Sequence, residues 1–184
     1  ELIKCNTLIS EATFGLPVFQ HPNANDEITK IIRSINKNKD STHLIGCYAL
    51  GKAQRVIYLL RKAGYDKTIY IHGALEKICN YYKNQKIPLG KLEKISASVL
   101  NLKNDVVLAP PSAIKDRWSR KFNNKISCQA SGWLSIKQRV KQNQVEIPLI
   151  ISDHSDWTEL TETIINSKAE KVLVTHGNEE GLVY

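Results

Sequence analysis

The sequence predicts an α/β protein built on parallel sheet. Three observations predict it. Short apolar runs rich in Ile, Val and Leu recur along the chain, and stretches with helical periodicity separate them. The ionisable residues Glu11, His154 and His176 each follow such a run. Ligands of open α/β sheets bind outside the carboxyl ends of the strands. A carboxylate and two imidazoles are therefore expected on one sheet edge, the layout of an active site.

The elements follow in order. Thr7-Leu8-Ile9-Ser10 is the first strand, and residues 15–25 read as a loop with Gly15, Pro17 and Pro22. Asp26 is placed as the cap of a helix to about Asn36, with Ile28, Ile31, Ile32 and Ile35 on one face. Residues 43–49 form a strand feeding a helix from Lys52 to Ala63, which Gly64 ends through left-handed backbone. A strand over 68–72, a helix around 75–82 and a loop with Pro88 and Gly90 follow. Val106–Ala109 is a strand, and Pro110-Pro111-Ser112 opens a helix to about Phe122. Residues 126–131 form another strand. The closing unit is a strand over 147–153, a helix whose Asp156 and Glu159 resemble a capping box, and a strand over 171–175. Such alternation argues for a three-layer parallel architecture in the middle.

At 184 residues, 42% apolar and 24% charged, the composition is that of a soluble globular protein of one large or two small domains. No run approaches the roughly 18 apolar residues of a membrane span, and no signal-peptide pattern opens the chain. Cys5, Cys47, Cys79 and Cys128 are widely spaced, which favours a reduced cytoplasmic protein over a disulfide framework or zinc knuckle. The chain lacks Met, begins at Glu1 and stops in what reads as the first turn of a helix, so it is read as a piece of a longer protein. Residues 1–29 carry a net charge of −3, 146–184 a net of −6, and 30–145 a net of +17. That partition suggests a polyanion-binding domain inserted between two parts of another: 1–26 and 146–184 outside, 27–145 inside.

Ser152-Asp153-His154-Ser155-Asp156-Trp157 concentrates two carboxylates and an imidazole in a strand-to-helix turn. Val174-Thr175-His176-Gly177 repeats the placement one strand later. An imidazole suits zinc or general acid–base work near neutral pH. Residues 46–53, Gly-Cys-Tyr-Ala-Leu-Gly-Lys-Ala, nearly fit a phosphate loop, but Ala53 lacks the hydroxyl that ligates magnesium. Nucleotide binding through a degenerate phosphate loop is thus an alternative reading. A nucleic-acid-binding module without catalysis is another.

Ser10-Glu11-Ala12-Thr13-Phe14-Gly15-Leu16-Pro17-Val18, Tyr48-Ala49-Leu50-Gly51-Lys52-Ala53-Gln54-Arg55, Ser152–Trp157 and Val174–Gly177 occur in this order in a known family. The chain resembles the β-CASP nucleases of the metallo-β-lactamase superfamily, most nearly the bacterial ligase-associated DNA exonucleases, also labelled mRNA 3′-end processing factor-like. The resemblance implies a three-layer β-CASP cap at 27–145 and the C-terminal strands and helix of an αββα metallo-β-lactamase domain. It implies a zinc-dependent nuclease of DNA repair or RNA 3′-end processing, with two zinc ions in the full-length parent, DNA favoured over RNA as substrate, and a DNA ligase as a possible partner. Glu11 then falls at the family's motif A, His154 at motif B as proton donor to the leaving oxygen, and His176 at motif C as a zinc ligand. The metal motif HxHxDH is absent and would lie upstream, so the chain alone is expected to be inactive with an incomplete metal site. Within the basic insert, Lys52 and Arg55 at a helix start, then Arg117, Arg120, Lys121 and Trp133, are the expected nucleic-acid contacts.

Overall fold

The structure, a computed structural model, describes residues 4–96, 102–177 and 179–183. In chain order its first half comprises β1 (Thr7–Ala12), α1 (Ala24–Lys37), β2 (Thr42–Gly46), α2 (Lys52–Lys62), β3 (Ile69–Ile71), α3 (Gly73–Asn84) and β4 (Leu92–Lys94). The second half comprises β5 (Val106–Ala109), α4 (Pro111–Lys115), β6 (Lys125–Ala130), α5 (Lys137–Gln142), β7 (Ile147–Leu149), α6 (Trp157–Ser167), β8 (Lys171–Gly177) and α7 (Glu179–Val183). Two compact units emerge: Pro22–Ile151, and Glu1–His21 together with Ser152–Tyr184. The unit changes thus fall at 21/22 and 151/152, against the domain boundaries of 26/27 and 145/146 expected from the sequence.

The larger unit is a parallel sheet in the order β4-β3-β5-β2-β6-β7. On one face, Ile28, Ile31 and Ile35 of α1, Val56, Ile57 and Leu60 of α2, and Leu75 and Cys79 of α3 pack with Ile45, Ile69, Val106 and Leu108. The helical spacing of those apolar residues is what turns each helix toward the sheet, and each fully buried Leu or Ile stabilises by roughly 1.5–3 kcal/mol. On the other face Leu44 and Val107 are covered by Phe122, Ile95 and the partly buried Trp118 and Ile114. The result is the three-layer α/β architecture that the alternation of elements predicts. Arg61 fastens the loop after α3, donating to the carbonyls of Leu89, Tyr65, Lys67 and Lys91. Gly90, at φ +66°, lets the backbone pass where a Cβ would strike the Arg61 guanidinium.

Several elements differ from expectation, for identifiable reasons. The helix expected to run from Pro111 to Phe122 stops at Lys115. Asp116 adopts extended backbone and its carboxylate accepts from the Arg117 N–H at 2.6 Å, restarting the chain as a 3-10 turn over Arg117–Lys121. Residues Ile114, Trp118 and Phe122 keep helical spacing across the break because both pieces bury the same side. The strand expected over 147–153 is only three residues long and pairs with β6 alone. Pro148 has no N–H to donate to a further neighbour, and edge strands are where a proline is tolerated. The α1 cap is Asn23 rather than Asp26, its side chain accepting from the Asn25 N–H. β4 and α5 give no signal in the sequence, because each carries a single apolar residue, too few for periodicity.

The smaller unit contains a two-stranded parallel sheet, β1 beside β8, with α6 packed on β1. Among the described residues no helix is long and apolar enough to cross a membrane. All four cysteines are free thiols, three of them buried.

Candidate functional site

The site is built from three crossings of the smaller unit. β1 and β8 run in register from Thr7 beside Lys171 to Ser10 beside Val174, then slip by one residue so that Ala12 meets Gly177. Gly177 is at φ +94°, and a Cβ there would collide with the Ala12 carbonyl. That close approach holds the ends of the two strands together, with Glu11 on one and His176 on the other.

The turn carrying His154 is held from below by Asp156. One carboxylate oxygen caps α6 by accepting from the Glu159 N–H at 2.9 Å, and the Glu159 carboxylate in turn accepts from the Asp156 N–H, completing the capping box. The other oxygen accepts from the His21 N–H at 2.8 Å, across 135 residues of sequence. The Trp157 N–H donates to the Phe19 carbonyl at 3.0 Å. Ser152 adds a local brace, its hydroxyl accepting from the His154 N–H. Phe14, fully buried, sits edge-on to His21, tilted against Phe19 and edge-on to His154 at 6.1 Å between ring centres.

On this support Glu11 and His154 meet. The Nδ1 atom of His154 lies 3.3 Å from Oε1 of Glu11, although 143 residues separate them. The other Glu11 oxygen accepts from the Thr13 N–H at 2.6 Å. Partial burial alone raises the Glu11 carboxyl, but bonds from Thr13 and the facing imidazole outweigh it and hold the group below its ordinary value. The carboxylate is about one-third exposed and the imidazole half exposed. An ion pair so placed adds little to stability, about 0–1 kcal/mol. What it does is fix the ring, leaving Nε2 available to donate or accept a proton.

The expectation that all three residues end strands of one sheet needs correction. Glu11 and His176 lie inside paired strands, whereas His154 follows a strand of the larger unit and reaches Glu11 through the loop that Asp156 anchors. His176 is exposed on the strand beside Glu11. Among the described residues no group of three His, Cys, Asp or Glu converges to hold a metal ion.

The expected nucleic-acid contacts fall in the larger unit. Lys52 is buried in the first turn of α2, its ammonium 5.7 Å from the Tyr48 ring centre, while Arg55 is exposed one turn on. Gly51 opens that helix at φ +77°, with no side chain capping it. Arg117 and Arg120 are exposed on the 3-10 turn, and Lys121 instead stacks over Trp118 at 4.6 Å. Trp133 is half-buried beneath the Arg139 guanidinium at 4.5 Å, so its ring face is already covered. The sequence marks Asp156 as the cap of α6 but gives no role in the site to it, Phe14 or His21. The Asp156 capping box was a visible signal of an ordered turn; the bond to His21 had none.

Over 172 residues, 92% of this chain, the sequence is 21% identical to a protein named "Probable DNA ligase" from Opitutus terrae (strain DSM 11246 / JCM 15787 / PB90-1), of which the match covers 16%. The chain therefore spans about a sixth of that relative's length. No family model matches the sequence.

Proposed function

We propose that the chain is part of a zinc-dependent nucleic-acid phosphodiesterase of the β-CASP kind. Residues 1–21 and 152–184 belong to its metallo-β-lactamase portion, and 22–151 form the cap that grips the phosphate backbone. The observation that carries this reading is the 3.3 Å approach of His154 to Glu11, two residues from separate family motifs. Glu11 orients the imidazole and His154 delivers a proton to the leaving oxygen as the phosphodiester breaks. His176 is this chain's contribution to the metal site, and the remaining ligands come from elsewhere in the parent. The similarity to a protein named a probable DNA ligase supports DNA over RNA and a role beside strand joining. Of the cations expected to contact nucleic acid, the exposed Arg55, Arg117 and Arg120 are the backbone contacts, whereas Lys52 is buried.

Single-turnover cleavage with metal analysis of the full-length parent tests the roles. His176→Ala should lower metal occupancy and cleavage together. His154→Ala should keep its metal and lose about 10²–10⁴-fold in rate, the usual contribution of general acid catalysis. Glu11→Gln should act in the same direction but more weakly. Parent-like cleavage by His154→Ala, or loss of metal from it equal to that of His176→Ala, removes the role assigned to His154.

A further inference from the structure

β6 is an interior strand with one polar face. Ile126, Cys128 and Ala130 turn into the main core, but the alternate positions are Lys125, Ser127 and Gln129. Strands inside three-layer parallel sheets are ordinarily apolar on both faces. The register makes the anomaly sharper. Leu44 pairs with Val107 on one side and with Ser127 on the other. Leu44 and Val107 are buried under Phe122 and Trp118, whereas beside Ser127 the cover stops and a cleft of about 580 Å³ opens. The 3-10 turn forms one wall of this cleft and the end of α5 the other.

The cleft is charged in a particular way. Lys115, Arg120 and Lys125 line it, and among the described residues none of the three forms an ion pair. Lys125 donates to the carbonyl and hydroxyl of Ser119, and Lys115 to the Asn143 amide oxygen at 2.7 Å. Each ammonium has three donors, so one remains on Lys125 and two on Lys115, and the five of Arg120 meet no partner among the described residues. The two carboxylates present are partly engaged, Asp116 with the Arg117 N–H and Glu146 with the Ser127 N–H. They and the Gln142 and Gln144 amides offer acceptors for hydroxyl groups. No aromatic ring lines the space, so nothing there stacks a base.

We propose that this cleft is a binding site for a phosphorylated, hydroxyl-rich small group, a sugar phosphate, with Arg120 and Lys115 taking the phosphomonoester. The volume lies within the range of small-molecule sites, about 300–1,000 Å³. Guanidinium and ammonium donors without carboxylate partners favour a phosphate, and the acceptor wall favours hydroxyls. The inference shares Arg120 with the proposed nucleic-acid surface but not the Glu11–His154 pair, so binding at the cleft can be tested apart from cleavage.

The test is titration calorimetry of the chain with ribose 5-phosphate, ribose and inorganic phosphate, repeated on Arg120→Gln and Lys115→Gln. Both side chains lie outside the apolar core, so folding should be unchanged by circular dichroism. Ribose 5-phosphate should bind saturably, at least about tenfold tighter than ribose or phosphate alone, and each variant should weaken it about tenfold, as loss of a charged contact implies. Competition by an oligonucleotide with a 5′-phosphate, but not by its 5′-hydroxyl twin, would identify the source as a strand end. Failure of both to compete would identify a free metabolite. No saturation by about 10 mM, equal affinity in both variants, or better competition by an acidic peptide would overturn the proposal.

Discussion

Asp156 makes the most searching test of how the site is held, because its two oxygens do different work. One caps α6 and the other binds the His21 N–H, and the residue is only 8% exposed. Replacing it with Ala removes an N-cap worth about 0.5–2 kcal/mol and strands a donor whose unmet desolvation costs about 1–3 kcal/mol. A loss of about 2–4 kcal/mol is expected. Asp156→Asn separates the contributions. Its amide oxygen can still cap the helix, but the amide nitrogen then faces the His21 N–H, donor against donor, so roughly half the loss should persist. Trp157 is the natural reporter, adjacent to the cap and the sole tryptophan of the smaller unit. Urea unfolding followed by its fluorescence, with Trp118→Phe and Trp133→Phe as background, should show a lower midpoint at unchanged slope. A shift below about 0.5 kcal/mol for Asp156→Ala would refute the claim that this carboxylate joins the two chain segments.

Three further outcomes follow. Binding of the chain to single-stranded DNA should weaken steeply with salt, since cations on the larger unit displace counterions from phosphates; a flat salt profile in filter binding would exclude that surface. His43 is fully buried with its Nε2 on the Ser34 hydroxyl and its Nδ1 without a partner, and burial pushes its imidazole below the ordinary 6.5, against a weaker pull upward from Glu146. The unfolded chain then takes the proton first, so stability is complete above about pH 6.5 and falls as pH drops toward the folded value, by at most about 1.4 kcal/mol per pH unit; His43→Gln should flatten that slope in urea midpoints measured across pH. Gly177→Ala combines left-handed backbone with collision against the Ala12 carbonyl and should destabilise the β1–β8 pair by about 2–4 kcal/mol, read as faster hydrogen exchange in β1.

The legible parts of the fold are those where one local signal decides the outcome. Ile28, Ile31 and Ile35 repeat at helical spacing, Gly64 stops α2 at φ +86°, and Asp156 with Glu159 announces α6, and each forms as its residues dictate. The helix break at Asp116 was hidden because Ile114, Trp118 and Phe122 share one buried side whether or not the helix continues. Pro148 was a readable warning that its strand lies at an edge, but seven apolar-rich residues outweighed it in the periodicity. The meeting of Glu11 with His154 rests on a separation of 143 residues, beyond any local pattern. Only the order of four motifs points to it, and the Asp156 bond to His21 that braces the turn leaves no trace in spacing.

The charge pattern acquires a physical meaning once the units are drawn. The larger unit carries 23 basic against 9 acidic residues, a net of +14, and the smaller unit 3 against 9, a net of −6. Self-repulsion of that size works against compactness, so most of these lysines must be solvated at the surface, where they are screened within about 8–10 Å at physiological salt. A field of this kind favours any polyanion without distinguishing one from another. Discrimination would have to come from groups fixed in position, such as the imidazole that Glu11 holds or the three cations lining the cleft over β6, which form no ion pair among the described residues. Under the proposed readings, the long-range charge would act on encounter with a polyanion and the anchored side chains on its recognition.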